Sequence, residues 1–250
     1  MIAIPLHDQA GQNAHMNTAL PACLSDLRQH WPLPEDVPGA RLFSSRFDHG
    51  ALTAEDFAQC GIAPPASIQR SVAKRQAEYL AGRVCARGAL LALTGEAQVP
   101  AIGADRAPVW PEQIVGSITH GSGRAAAVVA HRDHCQGLGL DIESLLPAAR
   151  AERLCTEILT PTEMKRMDPA QVDTVVTLTF SLKESLFKAL YPLVGQRFYF
   201  EHAEVLQWSA EGHARLRLLT DLSPEFGDGF EIDGQFAWFD GHLLSLVAVR

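Results

Sequence analysis

The sequence lacks the features that would place it outside a reducing, aqueous compartment. Its five cysteines, Cys23, Cys60, Cys85, Cys135 and Cys155, are odd in number and form no CxxC pair. That argues against a disulfide framework and for free thiols. The first residues, MIAIPLHDQAGQNAHMN, have neither a basic start nor a long apolar run, so no targeting segment is expected. No apolar stretch approaches the ~20 residues that a membrane span needs. A cytoplasmic location follows as the expectation. Positive charge is scarce too: 21 Lys and Arg face 29 Asp and Glu, a formal net charge of -8. General nucleic-acid binding is thereby disfavoured. Short repeats and low-complexity runs are absent as well.

What is present is a chain of 250 residues, 47% hydrophobic and 20% charged. That suits one large soluble domain or two small ones, with enough chain to bury a core unaided. Residues 1–40, rich in Pro, Asn, Gln and His, read as a loosely ordered, variable arm. RLFSSRF (41–47) reads as a strand, and Thr53 as the cap of a short helix. A helical pattern runs from Ala66 to Leu93 and stops near Gly95. VGSIT (115–119), AAAVVA (125–130) and GLGLDIE (137–143) read as strands. Thr160-Pro161-Thr162-Glu163 is a capping box with proline at the first helical position. A further helix spans roughly 173–191, with Pro192 as its stop. The tail alternates as strands at 198–208, 213–219, 230–238 and 242–249, with Asp233-Gly234 and Asp240-Gly241 as turn signals. The class is mixed α and β, richer in hairpins than in βαβ units.

Four stretches carry candidate chemistry. In GLGLDIES, Asp141 and Glu143 are two apart on a strand and share a face, while Leu140 and Ile142 point to the core. Two carboxylates so close repel, and a hard divalent cation would relieve them; the bland reading is a strand end meeting solvent. In FSLKESLFKAL (180–190), Glu184 and Lys188 are helical neighbours and Lys183 lies to the side. Alone, that pair is an ordinary surface ion pair worth ~0.5 kcal/mol. In VGSITHGSG, Ser117 and His120 precede glycines whose backbone N–H groups can approach an anion. In GADRAPVWP, Arg106 is placed to grip a phosphate and Trp110 to pack beside a base; a loop anchored by a buried tryptophan is the plainer reading. Arg75, Tyr79, Arg83 and Arg87 recur every four residues, which taken alone describes a solvated helix face.

Together, and in this order, these stretches resemble the 4'-phosphopantetheinyl transferases of the larger, surfactin- and enterobactin-synthetase-activating type. The likeness runs from KRQAEYLAGRVCAR (74–87) through GADRAPVWP, VGSITH and GLGLDIE to FSLKESLFKALYP (180–192). The D-I-E motif followed some forty residues later by F-S-x-K-E-S-x-F-K is its most specific part. The LAGR helix and the R-x-P-x-W-P loop favour the enterobactin branch. The resemblance implies a Mg²⁺-dependent enzyme that moves the phosphopantetheine arm of coenzyme A onto a serine of an acyl or peptidyl carrier protein and releases 3',5'-ADP. It implies Asp141, Glu143 and Glu184 as metal ligands, Glu184 also as general base, and Asp141 and Lys188 as catalytic partners. Arg75, Arg83 and His120 match positions near the 3'-phosphate, Lys183 and Lys188 positions near the pyrophosphate, and Arg106 a position near the nucleotide. Ser117 matches a diphosphate contact. The implied fold is α+β: two similar halves related by a pseudo-twofold, each a small, mainly antiparallel sheet on a long helix. Halves at 41–133 and 134–250 would flank the active cleft in a monomer. An acidic carrier helix would need a local basic or apolar patch on this acidic chain. The same residues leave two other readings open: a Mg²⁺-dependent phosphohydrolase of a coenzyme A-like nucleotide, and a binder without transfer. The intact acids and lysines weigh against the second.

Overall fold

The computed structural model of the chain describes residues 20–250. The expected N-terminal arm therefore lies partly outside the described residues. Its described part is not loose: strand β1 (Leu24–Gln29) pairs antiparallel with β2 (Arg41–Phe47). Two short helices, α1 (Glu55–Gln59) and α2 (Ala66–Gln69), lead to the long α3 (Ala73–Thr94). The single helix expected from Ala66 is thus broken at residues 70–72. At α1 the cap position falls on Ala54, and Asp56 reaches back to accept from the Thr53 backbone N–H at 3.0 Å.

Next come the two-residue strands β3 (Ala101–Ile102) and β4 (Pro108–Val109), then the hairpin β5 (Ile114–Gly121) and β6 (Arg124–His131). Strand β7 (Gly137–Ser144) precedes α4 (Ala148–Ile158) and α5 (Pro161–Arg166). The Thr160–Glu163 capping box forms as the sequence indicates. Helix α6 (Val172–Val194) then leads to β8 (Ala203–Trp208), β9 (His213–Leu218), β10 (Glu231–Phe239) and β11 (His242–Val249). Pro192 does not stop α6 but lies inside its last turn; the helix ends at Gly195, whose φ of 65° is left-handed. Residues 200–202, expected as strand, form a 3-10 turn before β8.

Sheet order is β1-β2-β6-β5 in the first sheet and β7-β11-β10-β9-β8 in the second, and all their pairings are antiparallel. Alternation along the strands splits each sheet into two apolar faces. Phe43, Ala125, Ala127 and Val129 pack under α3, while Leu42, Ala126 and Val128 face the other way. In the second sheet Leu243 and Val247 pack under α6. Leu138, Leu140, Ile142, Leu244 and Leu246 join Leu42, Ala126 and Val128 in one central core between the sheets. The long helices therefore lie on the outside and the sheets share an apolar interior.

Asp240-Gly241 is a turn, with φ of 51° and 78°. Asp233-Gly234 is not: it lies within β10, where Asp233 pairs with Arg215 of β9 and Gly234 pairs with both neighbouring strands. Glycine is needed there for packing, because a Cβ at Gly234 would come within 2.9 Å of Leu216 Cδ1. Helix α4 was not anticipated from the sequence. Among the described residues no helix is long and apolar enough to cross a membrane.

Candidate active site

The site grows from how closely α6 lies on β7. Gly137, Gly139, Asp141 and Glu143 share one strand face. A Cβ on Gly139 would sit 1.7 Å from the Ser185 carbonyl oxygen, and one on Gly137 2.4 Å from that of Ala189. Only bare backbone allows this approach. The cross-strand partner of Asp141 is Ser245, whose hydroxyl bonds those of Ser181 and Ser185 on α6. Asp141 therefore faces α6, where the Lys188 ammonium donates to its Oδ1 at 2.6 Å and to the Leu140 carbonyl at 3.1 Å. Asp141 is 4% exposed, and its Oδ2 is buried with no hydrogen-bond partner among the described residues.

Glu143 is next on the face. Burial, then the Asp141 charge, pushes its carboxyl up to about 7, with Glu184 adding and Lys188 and Arg150 opposing. Glu184 is raised for the same leading reason, burial, against the pull of Lys188. The three expected metal ligands thus share one electrostatic field. Among the described residues no three His, Cys, Asp or Glu side chains already converge as a metal cage.

Across the seam, β5 lies against β7. The Ser117 hydroxyl accepts from the Leu140 N–H and the Thr119 hydroxyl from the Ile142 N–H, both at 3.0 Å. These side chains do what a strand's carbonyls would do and join the two sheets. Thr119 also donates to Asp141 Oδ1 at 3.4 Å. Ser117 therefore differs from its expected role at a diphosphate: its hydroxyl is buried and faces β7.

His120, at the end of β5, receives an Arg75 N–H on Nε2 at 2.8 Å. Arginine only donates, so Nε2 accepts and a neutral ring carries its proton on Nδ1, which lies 3.6 Å from Glu78 Oε2. Burial lowers the His120 pKa below its ordinary value; Glu78 opposes this, and Arg75 and Lys188 add to it. His120 thus feels both the Arg75 and the Lys188 charges, and the two clusters adjoin. Arg83 is not part of a solvated face. It is 5% exposed, its guanidinium lies 4.8 Å over the Tyr79 ring, and it reaches the Ala101 carbonyl at 3.5 Å. Its buried Nε lacks a partner among the described residues. Arg106 is exposed in the β3–β4 turn at φ 74°. The half-buried Trp110 ring would meet a Cβ on Gly116 at 2.8 Å, so it anchors its loop on β5, the plainer of the two readings.

Lys183 departs most from expectation. It is 3% exposed, and it donates to Glu163 Oε2 at 2.8 Å, Ile158 O at 2.8 Å and Phe200 O at 3.0 Å. Its three N–H donors are used inside the protein, leaving none for a phosphate. Its side chain joins Glu184, Phe187, Arg197, Tyr199 and Phe200 in lining a cavity of about 200 Å³. Glu78 carries no signal of its own in the sequence, while Thr119 at the strand end and Glu163 in the capping box are visible there without their roles in the site. The one pointer to Glu78 is its spacing, three residues from Arg75 on one helix.

The α+β fold thus carries a buried Asp141 with one oxygen on Lys188 and the other unpartnered, the half-buried Glu143 and Glu184 in its field, and an Arg75–His120 pair alongside, a candidate site for phosphate anions and a hard cation. The 4'-phosphopantetheinyl transferase N-terminal domain matches residues 63–130, and the 4'-phosphopantetheinyl transferase superfamily matches residues 137–232. The 4'-phosphopantetheinyl transferase Npt of Nocardia iowensis is 32% identical over 86% of this chain and 97% of its own length. Svp, a 4'-phosphopantetheinyl transferase of Streptomyces mobaraensis, is 36% identical over 74% of this chain and 76% of its own. Enterobactin synthase component D of Escherichia coli O157:H7 is 43% identical, but the match spans 50% of this chain and 59% of that protein. The chain belongs to the 4'-phosphopantetheinyl transferase superfamily.

Proposed function

We propose that this protein transfers the 4'-phosphopantetheine arm of coenzyme A to a serine of an acyl or peptidyl carrier protein and releases 3',5'-ADP. The observation that carries this reading is Asp141: one oxygen on Lys188, the other buried and unpartnered, in the field of Glu143 and Glu184. The donor set suits Mg²⁺, being all carboxylate with one orphaned oxygen. Asp141, Glu143 and Glu184 would hold it, and when bound it would offset their repulsion and the charge of the pyrophosphate.

The protein's own groups divide the rest. Arg75 and His120, which bond each other and both face Glu78, would turn to the 3'-phosphate, arginine as a fork and histidine through its ring N–H. Lys188 sets positive charge beside the scissile pyrophosphate. Glu184, its basicity raised by burial, takes the proton of the carrier serine as that oxygen bonds to phosphorus. The bond from phosphorus to the bridging oxygen breaks, and that oxygen leaves on 3',5'-ADP. The aromatic cavity beside Glu184 suits the apolar part of the arm. Arg106 is kept as a contact near the nucleotide.

We also infer two similar halves, 41–133 and 134–250, related by a pseudo-twofold. In support, α3 and α6 each lie on an antiparallel sheet and end at a left-handed glycine, Gly95 and Gly195. The likeness to the enterobactin proteins supports a siderophore carrier as a substrate. A cytoplasmic location remains the reading from composition, and a monomer that from the family resemblance. The test is 3',5'-ADP release with and without an apo carrier protein. Release only with carrier supports transfer; release without it supports hydrolysis.

A further inference from the structure

Lys183 adjoins Glu184 in sequence, yet its ammonium is turned into the protein. It joins three segments. Ile158 O is at the end of α4, Glu163 lies in the first turn of α5, and Phe200 O belongs to the turn before β8. Glu163 is satisfied in turn: besides Lys183 it accepts from the Thr160 N–H at 2.7 Å and the Val205 N–H at 2.6 Å. The residue is 5% exposed. Phe200 and Tyr199 of the tethered turn, with Phe187, Glu184 and Lys183 itself of α6, wall the cavity.

We propose that Lys183 is a positioning residue, a buried three-way clamp that fixes the cavity wall against α6 and so sets where Glu184 stands, and that it is not a phosphate ligand. This rests on the transfer reading above. The geometry is that of a closed network, in which every lysine donor has an acceptor and Glu163 has three donors. Such a network is costly to break from one side, because the remaining charge stays buried and unpaired. Placing the ammonium on a phosphate would break all three lysine bonds and leave Glu163 without its counter-charge. A clamp acts through geometry, and small misplacements of a reacting group cost rate more than binding.

The test compares Lys183→Met and Glu163→Gln, with coenzyme A affinity measured by calorimetry and kcat for transfer corrected for folded fraction. The Glu163→Gln variant removes the charge but keeps one acceptor oxygen, enough for the Thr160 or the Val205 N–H but not both, and it stands in if Lys183→Met does not fold. The clamp predicts a kcat loss on the order of 10- to 100-fold in both variants. It also predicts coenzyme A affinity within about threefold of wild type, and a double variant no worse than the single ones. Lys183→Arg should not rescue, because the guanidinium fork does not fit three acceptors set for an ammonium. Weaker coenzyme A binding in Lys183→Met with a normal Glu163→Gln would overturn the clamp in favour of a phosphate contact. Lower stability with unchanged kcat per folded molecule would also overturn it, leaving a purely structural pair. Absence of transfer in the wild type would overturn the transfer reading itself, and with it this role.

Discussion

Lys188 and Asp141 lie 47 residues apart in sequence, and their Nζ and Oδ1 atoms are 2.6 Å apart. Two glycines make the contact possible, because Gly137 and Gly139 let α6 rest on the bare backbone of β7. The lysine neutralises one oxygen and leaves the other buried and open. Asp141→Asn keeps the shape and removes the charge. Transfer should fall at least about a hundredfold, in line with losing a placed electrostatic group, with the far-UV circular dichroism unchanged. Near wild-type transfer would remove Asp141 from the chemistry.

Gly139→Ala places a methyl 1.7 Å from a carbonyl oxygen. Neither backbone can yield without shifting α6. Destabilisation of about 3 kcal/mol or more is expected, a fall of roughly 10 °C in thermal midpoint for a chain of this size. Transfer should drop even where the protein stays folded, because Lys188 and Glu184 ride on α6. A midpoint within a degree or two of wild type would contradict the packing.

Arg75→Ala should weaken coenzyme A by about 10- to 100-fold, the range for a charge-assisted hydrogen bond. It should scarcely affect 3'-dephospho-coenzyme A. Titration calorimetry with both ligands reads the difference. An equal loss for both would mean that the Arg75–His120 pair does not reach the 3'-phosphate.

Glu143 gives a pH dependence with a definite sign. Its folded pKa is raised from 4.5 to about 7, chiefly by burial. The folded state therefore holds this proton where the unfolded chain has released it. Its contribution to stability is fully present below about 4.5 and is lost as pH rises through about 7. In metal-free buffer, the stability of wild type relative to Glu143→Gln should fall across that window. Added Mg²⁺ should stabilise wild type more at pH 8 than at roughly pH 5, because the cation binds the ionised carboxylate. Chemical denaturation at a series of pH values, with and without Mg²⁺, measures both.

Much of this arrangement was legible in the sequence. The alternation in GLGLDIE set Asp141 and Glu143 on one face, and helical spacing put Glu184 beside Lys188. What periodicity cannot report is distance between elements. The carboxylates meet α6 because of glycines whose importance shows only once the helix is in place. Local spacing marks Lys183 and Arg83 as ligands or surface charges, because it does not reveal a buried partner such as Glu163, twenty residues away, or the Tyr79 ring. Asp233-Gly234 carries turn chemistry, yet the packing of Leu216 and Leu182 claims that glycine for a strand. Helix α4 begins after Pro147 with no side-chain cap and no acid in its first turn, so the usual start signals were missing. Strand β1 lay within a stretch whose composition suggested a loose arm, and its pairing with β2 is a tertiary fact.

The most direct measurement is the intact mass of an apo carrier protein after incubation with this protein, coenzyme A and Mg²⁺, beside a chelator control. A gain of one phosphopantetheine that is lost with chelator is the expected result. An unchanged carrier mass, across several carrier types and with coenzyme A bound, would contradict the proposed transfer.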